Sequence, residues 1–328
     1  MKTKDILIRY AWMPLLATCF TACDRDEAKS VDFGVSTEST TVYAGTAVNF
    51  EFDGNPDYIV FYPGTKECSY ANRERTRMEL DSIGMSCRVD QVYTDLVSYA
   101  GEENTIMHAF ISQDYSGELT PEAIQKATWT DISGYGDNQL NMPVALKSPT
   151  VAVDYTAIDL SQYLDDTFFI AFRYAAGPNN NTSSSYGKPR VQIKDLTMAK
   201  REPDKNIINM TDAVSDWGFN TIRVKVAKEN NTKYDIEKNQ LSFFPDATTE
   251  KTRDVEVWMV SQKLDPAVVQ PDRGMPIKST NAKLPSYEYY YDKPGTYTAT
   301  FIATNANMWN SKQTMREVTV TVKELPAE

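Results

Sequence analysis

Histidine is almost absent from this sequence: its 328 residues contain one, His108. A serine-hydrolase triad needs a histidine base, and zinc sites draw most of their ligands from histidine and cysteine. The sequence also lacks a GxSxG motif and a glycine-rich phosphate loop, and no spacing among its 45 acidic residues singles out a catalytic carboxylate pair. We therefore predict that the protein is not an enzyme and that His108 serves in packing or supports a neighbouring side chain.

Long apolar runs are also missing, and the N-terminal stretch AWMPLLATCFTA is too short to span a bilayer as a mature helix. Three basic residues precede it, which is typical of a signal peptide. Phe20-Thr21-Ala22-Cys23 resembles the lipobox of bacterial lipoproteins, especially those of Bacteroidetes, which implies removal of a signal peptide (1–22) and lipidation of Cys23. Arg25-Asp26-Glu27 resembles the signal that sends such lipoproteins to the outer face of the outer membrane. An ordinary secretory leader and a single membrane anchor are the alternatives.

Cysteine is scarce as well. Of the four cysteines, Cys19 leaves with the signal peptide and Cys23 carries the lipid, which leaves Cys68 and Cys87. In a compartment where disulfides persist, a bond between these two would close a loop of about 20 residues and stabilise the fold by roughly 3 kcal/mol. Two buried free thiols are the alternative.

Positive charge is in deficit, with 34 Lys and Arg against 45 Asp and Glu and a formal net charge of −11. Removal of the signal peptide makes the balance more negative, because more basic than acidic residues leave with it. Such a surface repels the phosphates of nucleic acids, so we predict no nucleic acid partner. Membrane attachment would come from the lipid alone.

Amphipathic helical pattern is nearly absent, with one short candidate at 120–127, where Pro121 suits the first turn. Short segments that alternate apolar and polar residues dominate instead. The segment Thr167–Tyr174 is the strongest of them, and one of its faces carries Phe168, Ile170, Phe172 and Tyr174. The sequence therefore predicts an all-β protein built from sandwiches or jelly rolls.

Turn residues divide the predicted strands into three consecutive blocks. A tether (23–30) leads into an Ig/PKD-like sandwich (31–100), which is followed by a middle block (101–200) and a C-terminal Ig/PKD-like β-domain (206–326). The first and third blocks share a pattern, a turn glycine followed by an alternating strand. We interpret the charged stretch 199–205 as the linker before the third block.

Aromatic residues are abundant, with 19 Tyr, 13 Phe and 5 Trp. A ring can stack on the apolar face of a sugar while a Tyr hydroxyl or Trp N–H stays in water. Rings on strong strands, Trp129 among them, are assigned to packing, and rings in polar loops are the candidates for carbohydrate binding. These candidates are Tyr135, Tyr186 and Trp309.

Oxygen-bearing side chains alternate at Asp114, Ser116 and Glu118, and Asp131 follows further along the chain. Oxygen-rich loops of this kind can hold a structural Ca²⁺. An ordinary Asp/Ser/Gly turn is the alternative that we favour. No other cofactor is predicted.

Several short motifs lie along the chain, among them Gly54-Asn55-Pro56-Asp57, Ala127-Thr128-Trp129-Thr130-Asp131-Ile132, Ile170-Ala171-Phe172-Arg173-Tyr174 and Pro294-Gly295-Thr296-Tyr297. Together they resemble a family of Bacteroidetes surface lipoproteins that is grouped as a domain of unknown function. The resemblance implies an outer-membrane lipoprotein that is often encoded beside polysaccharide-uptake systems. It also implies an Ig/PKD-like module and, for the middle block (101–200), a jelly-roll β-sandwich of galactose-binding-like type that resembles carbohydrate-binding modules.

Surface location, missing catalytic groups and aromatic residues in polar loops together predict a non-catalytic glycan-binding lipoprotein. Its expected partners are a polysaccharide or oligosaccharide, the membrane through its lipid, and an outer-membrane transporter. The alternative is a structural or adhesive role at the cell surface, as a fimbrial subunit or a contact protein. Fold class alone does not separate these two functions.

Overall fold

A computed structural model describes residues 27–92, 106–134, 136–142, 152–179, 187–226 and 233–326. The chain is all-β, as predicted, and the described residues contain one α-helix, α1 (Pro121–Lys126), at the expected position. The Oγ1 of Thr120 accepts a hydrogen bond from the N–H of Ala123 at 3.2 Å and so caps this helix. Three short 3-10 helices are also described, at Tyr70–Asn72, Ser161–Tyr163 and Val214–Trp217. No helix in the described part is long and apolar enough to cross a membrane.

Nineteen strands run through the described residues. In chain order they are β1 (Gly34–Thr37), β2 (Thr41–Tyr43), β3 (Ala47–Asp53), β4 (Tyr58–Tyr62), β5 (Ser82–Val92), β6 (Met107–Ser112), β7 (Thr130–Asp131), β8 (Ala152–Asp159), β9 (Phe169–Ala176), β10 (Arg190–Arg201), β11 (Ile207–Thr211), β12 (Asn220–Lys225), β13 (Tyr234–Ile236), β14 (Gln240–Phe243), β15 (Val255–Val260), β16 (Met275–Lys278), β17 (Ser286–Tyr290), β18 (Gly295–Ala306) and β19 (Ser311–Lys323).

The chain folds as two compact units. Unit 1 combines Met1–Arg75 with Pro271–Glu328, and unit 2 is Thr76–Gln270. This division differs from the three consecutive blocks that we predicted, because the two terminal segments join in one sandwich. Each of them supplies only part of the strands that are needed to enclose a core.

Unit 1 has a three-stranded sheet, β1-β3-β17, and a five-stranded sheet, β16-β4-β18-β19-β2. In each sheet an N-terminal strand pairs with a C-terminal one: β3 with β17, and β4 with β18. In the core between the sheets, the ring of Phe61 stacks on that of Phe301, with 4.6 Å between centroids, and Phe50 meets Phe301 edge-on at 5.0 Å. Residues from the two ends of the sequence therefore share one aromatic core.

Unit 2 has a six-stranded sheet, β13-β14-β10-β5-β8 with β11 beside β10, and a five-stranded sheet, β12-β15-β9-β6-β7. The predicted apolar face of β9 lies in the core between them, where Phe168, Ile170, Phe172 and Tyr174 are fully buried. This prediction is confirmed. Since successive side chains of a strand point to opposite faces, Phe169, Ala171 and Arg173 lie on the outer face of the five-stranded sheet.

The stretch that we interpreted as a linker belongs to a strand and a turn. Its first residues end β10, where Ala199 pairs with Gly84 of β5 on one side and with β11 on the other. Lys200 is buried, and its ammonium group donates a hydrogen bond of 2.8 Å to the carbonyl oxygen of Pro266. The linker interpretation is therefore wrong. The stretch begins inside β10, and the strand can hold a charged residue there because the ammonium group of Lys200 is hydrogen-bonded.

Cys68 and Cys87 are free thiols in different units. Cys87 faces the core of unit 2 from β5, and burial raises the pKa of its thiol to about 12. Cys68 follows β4 in unit 1 and is partly exposed; burial and the carboxylate of Asp272 raise the pKa of its thiol. The structure thus contradicts the disulfide. The alternative, two buried free thiols, is correct for Cys87 but not for Cys68, which is partly exposed.

Candidate functional site

The outer face of the five-stranded sheet in unit 2 carries both aromatic and charged side chains. Arg173 of β9 lies directly opposite Trp258 of β15 on one side and His108 of β6 on the other. One row across three strands therefore presents a ring, a guanidinium and an imidazole side by side. We call this surface the outer face of unit 2.

Aromatic rings form the floor of this face. The ring of Phe110 stacks near that of Trp258 at 5.1 Å, and Trp129 lies 5.2 Å from Trp258 on another side. Trp258 is 5% exposed, whereas Phe110 and Trp129 are partly exposed. Helix α1 covers one side of this layer with Ala123 and Ile124. Trp129 packs as predicted, yet part of it remains accessible to a ligand.

Ion pairs hold the charged part of the face in place. Arg173 Nε donates to Glu256 Oε1 at 2.9 Å, and Trp258 Nε1 donates to the same oxygen at 3.0 Å. Lys225 Nζ lies 3.7 Å from Glu256 Oε2. Burial by itself would raise the pKa of Glu256, but the hydrogen bonds from Arg173 and Trp258 outweigh it and lower that pKa below its ordinary value. The carboxylate is therefore ionised at neutral pH and positions both neighbours.

His108 belongs to a second polar cluster on the same face, with its ring 5.9 Å from that of Phe110. His108 Nδ1 lies 3.1 Å from Asp131 Oδ2 and 3.3 Å from Ser133 Oγ. A catalytic triad needs the serine and the carboxylate on opposite ring nitrogens, whereas here both meet Nδ1. The cluster thus orients a histidine at the edge of the face.

Of the predicted calcium ligands, Asp114 and Ser116 accept hydrogen bonds in the loop after β6, and Asp131 of β7 accepts one from the N–H of Ser133 at 2.8 Å. Asp114 Oδ1 accepts from the N–H of Thr128 at 2.8 Å and from Ser112 Oγ at 2.9 Å. Hydrogen bonds from the side chain and backbone of Thr128, and from Ser112, lower the pKa of Asp114. Ser116 Oγ accepts from the N–H of Glu118 at 3.3 Å. Within the described ranges, no group of three or more His, Cys, Asp or Glu is placed to hold a metal ion. These contacts are typical of the Asp/Ser/Gly turn that we favoured.

Next to this face, a hollow of about 240 Å³ opens at the end of β6, and its polar lining includes Gln113, Asp114, Thr128, Thr130 and Tyr163. It is smaller than the ~300–1,000 Å³ pockets that enclose drug-sized ligands. A second hollow, of about 310 Å³, lies on the six-stranded sheet among small side chains such as Gly84, Ser86 and Ala157. Its described lining holds no aromatic ring, whereas that of the first hollow includes Tyr163.

Of the residues predicted as sites, Cys23, Tyr135 and Tyr186 lie outside the described residues. Trp309 is described, but in unit 1, at the tip between β18 and β19, where its side chain is 67% exposed. The outer face of unit 2 was missed by sequence reasoning. A signal for it was present, because Arg173 interrupts the outward-facing positions of the strand whose other face we identified as core.

No curated protein matches the chain. A family model matches residues 22–217, which include the N-terminal strands of unit 1 and most of unit 2 up to the 3-10 helix at Val214–Trp217. The matched span contains His108, Trp129 and Arg173, whereas Trp258 and Glu256 lie beyond it. The predicted membership of an uncharacterised family is thereby confirmed: the chain belongs to the family described as a domain of unknown function (DUF5017).

Proposed function

We propose that this protein binds glycan without cleaving it, as a lipid-anchored protein of the outer membrane that passes its ligand to an uptake system. The observation that carries the proposal is the outer face of unit 2, where partly exposed rings lie beside fixed charged groups. Sugars present C–H faces and hydroxyl groups together, and such a surface can contact both. The adjoining hollow offers hydroxyl, amide and carboxylate groups to a terminal or branching sugar.

Weak binding is sufficient for this role. One or two stacked rings with a few polar contacts give roughly −4 to −8 kcal/mol, which is about millimolar to micromolar affinity. Several tethered copies on one cell would raise the avidity for a polymer that carries repeated units. The ion pairs among Arg173, Glu256 and Lys225 limit the entropy lost on binding, because they position these side chains beforehand.

The finer fold assignment is part of the same proposal. Unit 1 fits an Ig/PKD-like sandwich, since antiparallel sheets of three and five strands enclose its core, with one parallel pair between β2 and β19. Unit 2 fits a jelly roll of the galactose-binding-like type, since two antiparallel sheets of six and five strands pack face to face. A carbohydrate-binding module of this architecture can hold its ligand on the outer face of a sheet. Fold likeness by itself does not assign function.

The test is binding of the soluble form that lacks residues 1–23 to plant, host-mucin and fungal polysaccharides, by affinity electrophoresis and calorimetry. Trp129→Ala should weaken binding by up to about tenfold, because an aromatic contact contributes about 0.5–1.5 kcal/mol. Trp129→Phe should restore part of it. Tyr290→Ala, which removes a 53% exposed ring from unit 1, is the matched control and should leave binding unchanged.

Thermal unfolding of each variant separates loss of the ligand site from loss of fold. A Trp129→Ala variant that binds normally would move the site away from the outer face of unit 2. If no polysaccharide retards or titrates the parent protein, glycan binding is abandoned in favour of the structural or adhesive role. For a fimbrial role the structure offers no spare donor in β19, since this strand is paired with β18 along its length and with β2 near its end.

The proposed location has its own test. Cys23→Ala should abolish palmitate incorporation and release the protein from the membrane. Asp26→Ala with Glu27→Ala should leave it lipidated but hidden from protease added to whole cells. Because Glu27 also pairs with Lys312 at 2.6 Å, Lys312→Ala is the control that removes this ion pair and keeps the export signal. If the double variant is still cleaved by protease on whole cells, Asp26 and Glu27 do not act as an export signal.

A further inference from the structure

The tip of the β18–β19 hairpin exposes two large apolar side chains side by side. Met308 is 83% exposed and Trp309 is 67% exposed. Neither side chain belongs to the core of unit 1, which is built around rings such as those of Phe50, Phe61 and Phe301. Adjacent exposed apolar side chains at the end of a hairpin are typical of a contact surface.

Hydrogen bonds fix the shape of this tip. Asn307 Oδ1 accepts from the N–H groups of Trp309 and Asn310, at 2.8 and 2.9 Å. The backbone N–H of Asn307 donates to the carbonyl oxygen of Asn310 at 3.0 Å, which closes the turn. The two apolar side chains are thus presented on a defined loop, which lowers the entropy cost of burying them in a partner.

The N-terminal segment lies along the same hairpin. Ala28 is buried, and its N–H donates to Asn310 Oδ1 at 2.6 Å. Asn305 Nδ2 donates to the carbonyl oxygen of Ser30 at 2.9 Å, and Glu27 pairs with Lys312. The described end of the predicted tether is therefore packed on unit 1 rather than free.

Chain length then limits how far the lipid can be from the tip. Cys23 precedes Ala28 by five residues. A fully extended chain spans at most about 3.3–3.6 Å per residue, so the lipidated residue lies within roughly 18 Å of Ala28. Ala28 in turn is bonded to the residue next to Trp309. A bilayer that holds the lipid of Cys23 must therefore pass close to this hairpin.

We propose that Met308 and Trp309 insert into the headgroup region of the membrane beside the lipid anchor and so orient unit 1 on the bilayer. The proposal rests on the lipid anchor at Cys23 that is part of the proposed function. Tryptophan is favoured at membrane interfaces, because its ring is apolar while its N–H remains hydrated. With the anchor, the tip gives the protein two points of attachment, whereas a lipid alone would leave it free to rotate.

The experiment uses the mature lipidated protein in vesicles of phosphatidylcholine and phosphatidylglycerol that contain brominated phosphatidylcholine, which quenches tryptophan on contact. Four tryptophans remain after residue 22, and Trp309 is one of them. Of the other three, Trp217 and Trp258 are buried and Trp129 is partly exposed. Trp309→Phe should therefore abolish most of the quenching. Ile207→Trp in the Trp309→Phe protein is the matched control, because Ile207 is equally exposed, at 67%, in unit 2.

Each of the following outcomes overturns the proposal. Equal quenching of parent and Trp309→Phe proteins would show that the tip stays out of the lipid. Equal quenching of a tryptophan at 207 would show general adsorption. A spectral change of Trp309 with polysaccharide and none with vesicles would return the residue to glycan binding. Missing palmitate incorporation would remove the premise, whereas palmitate incorporation without quenching overturns the tip contact alone and leaves the proposed anchor intact.

Discussion

Unit 1 and unit 2 are both sandwiches of two sheets, but they are assembled from different kinds of chain segment. Unit 1 joins strands from both ends of the sequence, and Phe61 and Phe301 meet in its core. Unit 2 encloses its core within Thr76–Gln270. The comparison teaches that a strand's alternation predicts that it will bury one face, but not which distant segment will cover that face.

The two units also differ in how they expose tryptophan. In unit 2, Trp258 is 5% exposed beneath Arg173 and contributes to the floor of a polar and aromatic face. In unit 1, Trp309 is 67% exposed on a hairpin tip. The same residue type thus belongs to two surfaces with different proposed partners, a glycan and a lipid bilayer.

Dividing the chain should have the largest effect. Residues 76–270 expressed alone should fold cooperatively, because they contain both sheets of unit 2. Residues 27–100 alone should remain unfolded, because β3 and β4 lose their C-terminal neighbours β17 and β18. Far-UV circular dichroism and thermal unfolding would check both fragments, with residues 27–328 as the control. Cooperative folding of 27–100 would restore the three-block organisation.

Loss of a core ring should have the next largest effect, and in one unit at a time. Phe301→Ala should destabilise unit 1 by about 3–5 kcal/mol, because it leaves a cavity between Phe50 and Phe61. Phe172→Ala is the matched variant in the core of unit 2. Amide hydrogen exchange should show faster exchange in β3 and β18 for the first variant and in β6 and β15 for the second. Equal acceleration in all four strands would mean that the two units unfold as one.

The ion pair on the outer face of unit 2 should matter less. Arg173→Ala should cost about 1.5–3 kcal/mol in urea unfolding, because it leaves the carboxylate of Glu256 without its main hydrogen-bond donor. Since folding lowers the pKa of Glu256, its charged form contributes stability above the ordinary carboxyl pKa, and this contribution is lost as the pH falls through the lowered value. Glu256→Gln should therefore make the free energy of unfolding of unit 2 depend less on pH in the acidic range. An unchanged pH dependence would contradict the role given to the Glu256 carboxylate.

Reductant should have the smallest effect. Because both thiols are free, dithiothreitol should leave the unfolding midpoint unchanged, whereas a disulfide would have contributed about 3 kcal/mol. A thiol reagent should modify Cys68 in the folded protein and Cys87 only after unfolding, since Cys87 is buried and the pKa of its thiol is raised to about 12. A midpoint that falls on reduction would contradict the free thiols of the structure.

Local patterns made several elements predictable. The alternation of Thr167–Tyr174 identified the buried face of β9, and Pro121 identified the first turn of α1. Both signals are local, since one comes from the two-residue period of a strand and the other from the first turn of a helix. The outer face of unit 2 was not predictable in this way, because Arg173, Trp258 and His108 meet only when β6, β9 and β15 lie side by side.

The sequence by itself determined that this chain is all-β, where many of its strands lie, and which side of β9 is apolar, because these properties depend on composition and on periods of a few residues. The tertiary structure decided that the two terminal segments form one sandwich, since many partners would cover the apolar face of β3 or β4 equally well. It also decided that Cys87 is buried in a different unit from Cys68, and that Trp309 stands exposed beside Ala28. Sequence distance does not encode these proximities, because they arise from long-range pairing of strands whose local patterns are alike.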